Sequence, residues 1–448
     1  MYWRSKPLSF FAVCIGILFL SFSVAKQARW NDYRVLAHDM YVYYNYLPAT
    51  FIYADLNLGF IGQVPPHQKA EIWCMPNDNG NCVPKMTMGM SFMYAPFFAG
   101  AHILAHVLGF NTSGYSSIYH LALALAALFY AALSLVLLRS FLLKFYSDIA
   151  TASSLFALFL GSNLYFYIVD EGAMTHAYLF FLSILMLHSV HNWHQKPSIK
   201  SALSIGALLG LMALIRPTQI VFVLLWLLYD IRSIRLQFFT FIHNYKHTIV
   251  ALFSFLSIWI PQLLFWKMQS GSWLYYSYSD EGFFWGNPKV IDFLFSYRKG
   301  WLLYSPIMAL SILGVYFLWK AKNPVIWPLM AIFPMFLYIA ASWWCWWYGG
   351  SFGQRTMIDL YALLALPLTA FTDKIRNTKI LAFVFHFVLA FLIYLNFFQT
   401  EQYRKTIIHY DSMTREAYWN VFLHQHFPEN QDALYKHPDY DAAKKGLR

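Results

Sequence analysis

Apolar runs near the length of a bilayer crossing recur along almost the whole chain, each bounded by short clusters of Lys or Arg. Such runs lie at residues 8–25, 117–138, 149–169, 173–190, 201–215, 218–229, 248–266, 301–319, 324–342, 357–371 and 380–398. A helix needs roughly 20 apolar residues to cross the hydrocarbon core, so these runs predict about eleven spans, with 218–229 short for one. Helices satisfy their own backbone groups in lipid, which makes an all-α polytopic transmembrane bundle the expected fold class. Composition agrees: 59% of the 448 residues are hydrophobic and only 12% charged, against about 25% charged in soluble chains. The first run follows Arg4 and Lys6, and Ser23 and Ala25 resemble a signal-peptide cleavage site. The many later runs favour a retained first helix instead.

A net charge of +11 suggests nucleic acid, but the basic residues sit between apolar runs, where Lys and Arg set membrane orientation. With the N-terminus inside, every inside loop is basic. These loops carry Arg139 and Lys144; Lys196 and Lys200; Arg232, Arg235 and Lys246; Lys320 and Lys322; and Lys374, Arg376 and Lys379. The scheme requires that residues 91–109, with His102, His106 and Pro96, lie along the outer leaflet as an interfacial helix. If that segment crosses, every later loop changes side. Outside lie a long loop at 26–116, a second at 267–300, and a short polar tail at 399–448. Residues 1–398 form the transmembrane module. No internal repeat stands out.

Chemically capable residues collect on that outer side. Asp39 follows the first span among aromatics, a setting that suits a general base. Asp55 follows it, and for both the plain alternative is a solvated interfacial acid. Asp170 and Glu171 sit at the mouth of two spans, with His176 close behind. Ionisable groups at such positions are costly unless paired, and these could steer an acceptor or hold a cation. Lys85, Arg216, Arg298, Lys299 and Arg355 are cations on the side where the positive-inside rule disfavours them. Guanidinium binds phosphate in a bidentate fashion, so a phosphorylated lipid would account for several at once. Snorkelling to headgroups would account for one or two. The stretch Trp343-Trp344-Cys345-Trp346-Trp347-Tyr348 fits an interfacial belt or a sugar-stacking wall. The glycines that follow it lack the Lys-Ser/Thr of a nucleotide loop. Cys74 and Cys82 share the long outer loop around Asn77–Asn81. An oxidising compartment favours their pairing in a disulfide over two free thiols.

These features resemble the GT-C superfamily of membrane glycosyltransferases, which includes protein O-mannosyltransferases and aminoarabinose transferases. The resemblance rests on Asp39 after the first span, the acids Asp170 and Glu171 two spans later, and Lys85 before an interfacial helix. Further stretches resemble an uncharacterised bacterial branch: Tyr46-Leu47-Pro48-Ala49-Thr50, Met174-Thr175-His176-Ala177-Tyr178, Leu214-Ile215-Arg216-Pro217-Thr218, and residues 294–301 and 347–355. It extends from the first span to about Pro367 and rests on layout rather than on one diagnostic motif. The chain departs in having no large outer C-terminal domain and no clear Asp-X-Asp or Asp-X-Glu pair in its outer loops at 26–116 and 267–300. No cofactor is therefore assigned, and a divalent cation stays open. The resemblance implies a bacterial inner-membrane enzyme working on the extracytoplasmic face. It would move a sugar from a polyprenyl-phosphate donor to a hydroxyl of a lipid, glycan or protein, with inversion. Asp39 would be the base, Arg355, Arg216, Arg298, Lys299 and Lys85 would hold donor phosphate, and Asp55, Asp170, Glu171 and His176 would serve the acceptor. A transporter or lipid flippase is the alternative, with charges near the membrane midplane and paired repeats. An assembly subunit without turnover is a third reading. It predicts no pocket joining Asp39 to Arg355.

Overall fold

The computed structural model describes residues 6–72, 74–76, 80–231 and 233–448. Arg4, Asn77, Asp78, Asn79 and Arg232 lie outside the described residues. Helix dominates, as apolar runs in lipid require. The chain opens with α1 (Pro7–Gln27) and the short helices α2 (Asp39–Tyr44) and α3 (Tyr46–Phe51). A small antiparallel hairpin follows, β1 (Cys74–Pro76) against β2 (Cys82–Pro84), with Met75 opposite Val83. A disulfide joins Cys74 to Cys82. Then come α4 (Gly89–Leu108), α5 (Ser117–Leu142), α6 (Asp148–Leu160), α7 (Leu164–Val169), α8 (Thr175–Gln195), α9 (Ile199–Ile215) and α10 (Val223–Leu228). The second half holds α11 (Ile234–His243), α12 (Tyr245–Ser270), α13 (Val290–Phe295), α14 (Trp301–Tyr304), α15 (Ala309–Lys320) and α16 (Ile326–Ser342). It closes with α17 (Tyr361–Ile375), α18 (Lys379–Arg404), α19 (Arg415–Val421) and α20 (Tyr440–Lys444).

Among the described residues, six helical stretches are long and apolar enough to cross a membrane: α1, α4, α5, α12, Arg355–Ile375 and α18. The chain is a helical membrane protein on that ground. Four of the expected runs are not single α-helices, and one of them, 357–371, begins as the 3-10 turn Arg355–Leu360. Residues 149–169 break at Gly161-Ser162-Asn163 between α6 and α7, and 301–319 break at Ser305-Pro306 between α14 and α15. The run at 218–229 begins as the 3-10 turn Pro217–Phe222. At Pro217 and Pro306 the missing backbone N–H ends regular helix on the preceding side. The segment expected to lie at the interface forms the continuous helix α4, which by length and composition alone is able to cross.

Small residues let the helices touch. Gly206 and Gly210 stand one turn apart on α9, and a Cβ at Gly206 would lie 2.0 Å from the Ala251 carbonyl oxygen of α12. Gly89, in the first turn of α4, would carry a Cβ 2.5 Å from the backbone nitrogen of Ile215. That contact seats the start of α4 at the last turn of α9, beside Arg216.

The bundle has two chemically distinct ends. At one, Asp148 accepts from the backbone N–H groups of Leu8 (2.9 Å) and Ser9 (3.0 Å), which caps α1. Arg139 donates there to Ser9 Oγ (2.9 Å) and the Lys6 carbonyl (3.0 Å). Asp373 accepts from Ser147 N at 3.2 Å at the same end. α1 then runs to the opposite end, where Arg29 donates to the Asp170 carbonyl. The tail packs onto this second end. Arg404 donates to both Asp170 carboxylate oxygens (2.9 and 2.6 Å), and Arg448 donates to the carbonyls of Ser342 (3.1 Å) and Trp343 (2.6 Å).

Candidate functional site

Asp39 is the first residue of α2, so its carboxylate projects from a helix start instead of being absorbed in a ladder. His38 before it holds φ at 48°, a left-handed conformation that non-glycine residues rarely adopt. Ser91 Oγ of α4 donates to the Tyr43 carbonyl at 2.6 Å and fixes the short helix in place. From there Asp39 Oδ2 accepts from Arg355 Nη2 at 3.3 Å.

Arg355 leaves a loop that the rest of the fold grips tightly. Phe352 N donates to Tyr167 Oη at 3.0 Å, Asn163 Nδ2 donates to the Phe352 carbonyl at 3.3 Å, and Gln354 Nε2 donates to the Trp346 carbonyl at 3.0 Å. Gly353 has φ 61°, and a Cβ there would stand 2.8 Å from Tyr304 Cβ. The loop entrance, Tyr348, also holds a positive φ, 56°. Two strained non-glycine residues, His38 and Tyr348, thus flank the same site, each costing about 1–2 kcal/mol that the surrounding bonds must offset.

Arg216 occupies the corner after α9. Its Nη1 donates to Asp359 Oδ2 at 3.3 Å, and its guanidinium carbon lies 5.7 Å from the Tyr348 ring centroid. Asp359 is fully buried and also accepts from Gln219 Nε2 (2.7 Å), while its Oδ1 meets His176 Nδ1 at 2.9 Å. One buried carboxylate therefore locks together the start of α8, the corner after α9 and the turn before α17. His176 is held by it rather than free.

Asp39, Lys85, His176, Arg216 and Arg355 line one cavity of about 330 Å³. Its walls are aromatic, with Tyr43, Tyr278, Trp343, Trp344 and Tyr348. Lys85 pairs with Glu281, itself on the cavity, and lies 5.3 Å from the Tyr278 ring centroid. Two donors of cavity-lining residues, Arg355 Nε and Trp344 Nε1, are buried without a hydrogen-bond partner. A buried donor left so costs about 1–3 kcal/mol. Burial pushes the Cys345 thiol up to about 12, so it stays neutral and is no nucleophile.

Five expected site residues lie off this cavity, each for a visible reason. Lys299 is buried and donates to the carbonyls of Ser351 and Tyr410, so it braces the Arg355 loop and does not reach a phosphate. Burial lowers its pKa to about 7. Arg298 donates to the carbonyls of Asp411 (3.0 Å) and Lys436 (3.2 Å) and covers the Trp347 ring. Asp55 accepts from the backbone N–H groups of Asn57 and Phe60, both at 3.0 Å, and shapes its own turn. Asp170 is neutralised by Arg404 and Arg29. Glu171 is pushed up to about 7 by burial, against the opposing pull of Arg355.

Asp359, Glu281, Tyr278 and Gln219 were not singled out by their sequence context. Asp359 had a signal: a lone carboxylate inside the apolar run 357–371, where a charge is costly unless it works. Among the described residues, the cluster close enough to share a metal ion is His409, Asp411 and His437, in the tail.

No family model matches the chain, and no curated protein or solved structure matches it.

Proposed function

We propose that this protein is a membrane glycosyltransferase that moves a sugar from a polyprenyl-phosphate donor to an acceptor hydroxyl, inverting the anomeric carbon. The observation that carries this reading is a single aromatic-walled cavity in which the carboxylate Asp39 faces the guanidiniums of Arg355 and Arg216. Asp39 pairs with Arg355. A donor phosphate offers that guanidinium a better partner, two oxygens in a bidentate geometry. Its arrival releases Asp39 to accept a proton.

The reaction then balances simply. The acceptor hydroxyl oxygen bonds to the anomeric carbon as its proton passes to Asp39. The bond from that carbon to the phosphate oxygen breaks, and its electron pair stays on the phosphate. Arg355 and Arg216 stabilise the charge that grows there. Tyr43, Tyr278 and Trp343 give the sugar apolar faces to stack on. Inversion follows from the single displacement, in which the hydroxyl attacks the face of the anomeric carbon opposite the bond that breaks.

We read the chain as a GT-C-like layout of about eleven crossings. α4 is best placed along the membrane face, because both of its ends return to one short segment. Ser91 bonds the Tyr43 carbonyl, while Tyr53 Oη donates to the Ser113 carbonyl (3.2 Å) and Tyr44 Oη to the Gly114 carbonyl, just past α4. With α4 so placed, the cavity falls on the extracytoplasmic side and the basic loops fall inside.

The test uses purified protein in nanodiscs with a synthetic polyprenyl-phosphate sugar and a panel of hydroxyl acceptors. Release of polyprenyl phosphate with formation of a glycoside of inverted configuration is expected. Movement of labelled donor between leaflets of proteoliposomes without any cleavage would instead identify a flippase.

A further inference from the structure

The tail carries a second set of side chains that the transfer chemistry does not use. His409, Asp411 and His437 each offer one ligand atom, all within 4.8 Å of one another. His409 Nδ1 and Asp411 Oδ1 are 3.3 Å apart, the edge expected between two ligands held at about 2.0–2.1 Å from one tetrahedral ion.

The hydrogen bonding around these rings decides which nitrogens carry lone pairs. His409 Nδ1 also stands 3.2 Å from the Asp411 backbone N–H. If Nδ1 carries a proton, that proton meets an N–H donor. If it carries a lone pair, the lone pair faces a carboxylate oxygen. Neither neutral tautomer suits both neighbours; a cation bound between the lone pair and the carboxylate would take the place of the N–H contact. Ser412 Oγ donates its one proton to Asp411 Oδ1 at 2.6 Å, so at its 2.8 Å contact with His437 Nδ1 it must accept. His437 is therefore protonated on Nδ1 and keeps its lone pair on Nε2. An imidazole that donates through one nitrogen and presents the other is the usual arrangement of a metal ligand.

We propose that His409, Asp411 and His437 form a zinc site that fastens the tail over the catalytic cavity. Two imidazoles and one carboxylate suit zinc, with a water in the fourth position. His437 is exposed and able to move the remaining distance. The ion would tie the loop after α18 to the start of α20, residues 409–411 to residue 437. That joint matters for the cavity. Asp411 Oδ2 accepts from Tyr440 Oη at 2.8 Å, and Tyr440 is part of the cavity wall. On its other side the Tyr410 carbonyl accepts from Lys299, which also grips Ser351 in the Arg355 loop.

The experiment uses full-length protein without a polyhistidine tag, stripped with chelator in detergent and then exposed to zinc chloride. Mass spectrometry of the metal content after gel filtration is expected to give one zinc per chain. The melting temperature should rise with zinc concentration, since the ion binds the folded form. His437→Ala, an exposed substitution that leaves folding intact, should lose both the bound zinc and the thermal shift. His409→Ala should do the same. A wild-type chain that retains no zinc overturns the proposal. So does a His437→Ala chain that retains as much as wild type, which would mark adventitious binding by the chain's other histidines. Both readouts are independent of sugar transfer, so the site and the enzymatic reading stand or fall separately.

Discussion

Replacing Asp39 by Asn separates the two jobs that the Asp39–Arg355 pair holds in balance. The substitution preserves size and removes the base, so turnover should fall by about 100- to 10,000-fold, or roughly 3–5 kcal/mol in barrier. Its effect on donor binding has the opposite sign. At 3.3 Å the pair attracts with about 5 kcal/mol at an effective dielectric near 20. Asp39 is 29% exposed, and screening leaves a net of about 1 kcal/mol. A donor phosphate must displace that carboxylate from Arg355. The uncharged amide of the variant holds the guanidinium less strongly, so the donor should bind as well as to wild type or up to about fivefold more tightly. Arg355→Ala should do the reverse, weakening donor binding and slowing the step as well. The assay is donor affinity by isothermal titration beside single-turnover rates, both in nanodiscs. Asp39→Asn turning over at the wild-type rate would remove Asp39 from the chemistry. A loss of donor binding in Asp39→Asn as large as in Arg355→Ala would refute the displacement step.

Other consequences are equally checkable. Asp359→Asn leaves Arg216 and His176 without their buried carboxylate partner, and should destabilise the protein by about 3–5 kcal/mol; an unchanged melting temperature would remove Asp359 from its locking role. Glu171 binds its proton more tightly when folded, about 7 against an ordinary 4.5, so its contribution is full below about pH 4.5 and is lost as pH rises through about 7. Glu171→Gln should therefore flatten a decline in melting temperature between those values, worth about 3 kcal/mol, and a wild-type curve that is already flat contradicts this. Gly206→Leu drives a side chain into the Ala251 carbonyl and should cost at least about 1–3 kcal/mol or abolish folding; normal expression and melting would mean that α9 and α12 do not touch. Cys82→Ser opens the Cys74–Cys82 link and should cost about 2–3 kcal/mol in the chain-entropy model, while alkylation of the unreduced wild type should label neither cysteine.

Apolar length made the helices legible, because a run of that kind has few ways to satisfy its backbone in lipid. Their interruptions were less legible. Pro306 and Gly161 lie inside the runs at 301–319 and 149–169, where run length alone does not register a break. The site residues divide by how their partners are distributed. Asp39, Arg216 and Arg355 stood out as ionisable groups beside turns on one side of the membrane, and they share the cavity. Arg298 and Lys299 stood out by the same rule and do not. What separates the two sets is what satisfies their donors. Lys299 bonds Ser351 and Tyr410, 52 and 111 residues away, and no local pattern announces a carbonyl as a partner. The tail set of His409, Asp411 and His437 was hidden in the same way, by the 25 residues between Ser412 and His437.

That difference in partners also ranks the cations as phosphate ligands. A group already bonded to carbonyls loses good hydrogen bonds when a phosphate arrives, and the abandoned carbonyls stay buried without donors. Arg298 and Lys299 are in that position. Arg355 instead commits one nitrogen to a partly solvated carboxylate and keeps Nε unused. Arg216 shares Asp359 with Gln219 and His176, so the carboxylate stays partnered if the guanidinium turns toward a ligand. Exchange therefore costs least at Arg355 and little more at Arg216, two cations that share the cavity with Asp39. On the proposed reading, the base and the leaving-group ligands are in this way the groups whose present bonds are easiest to break.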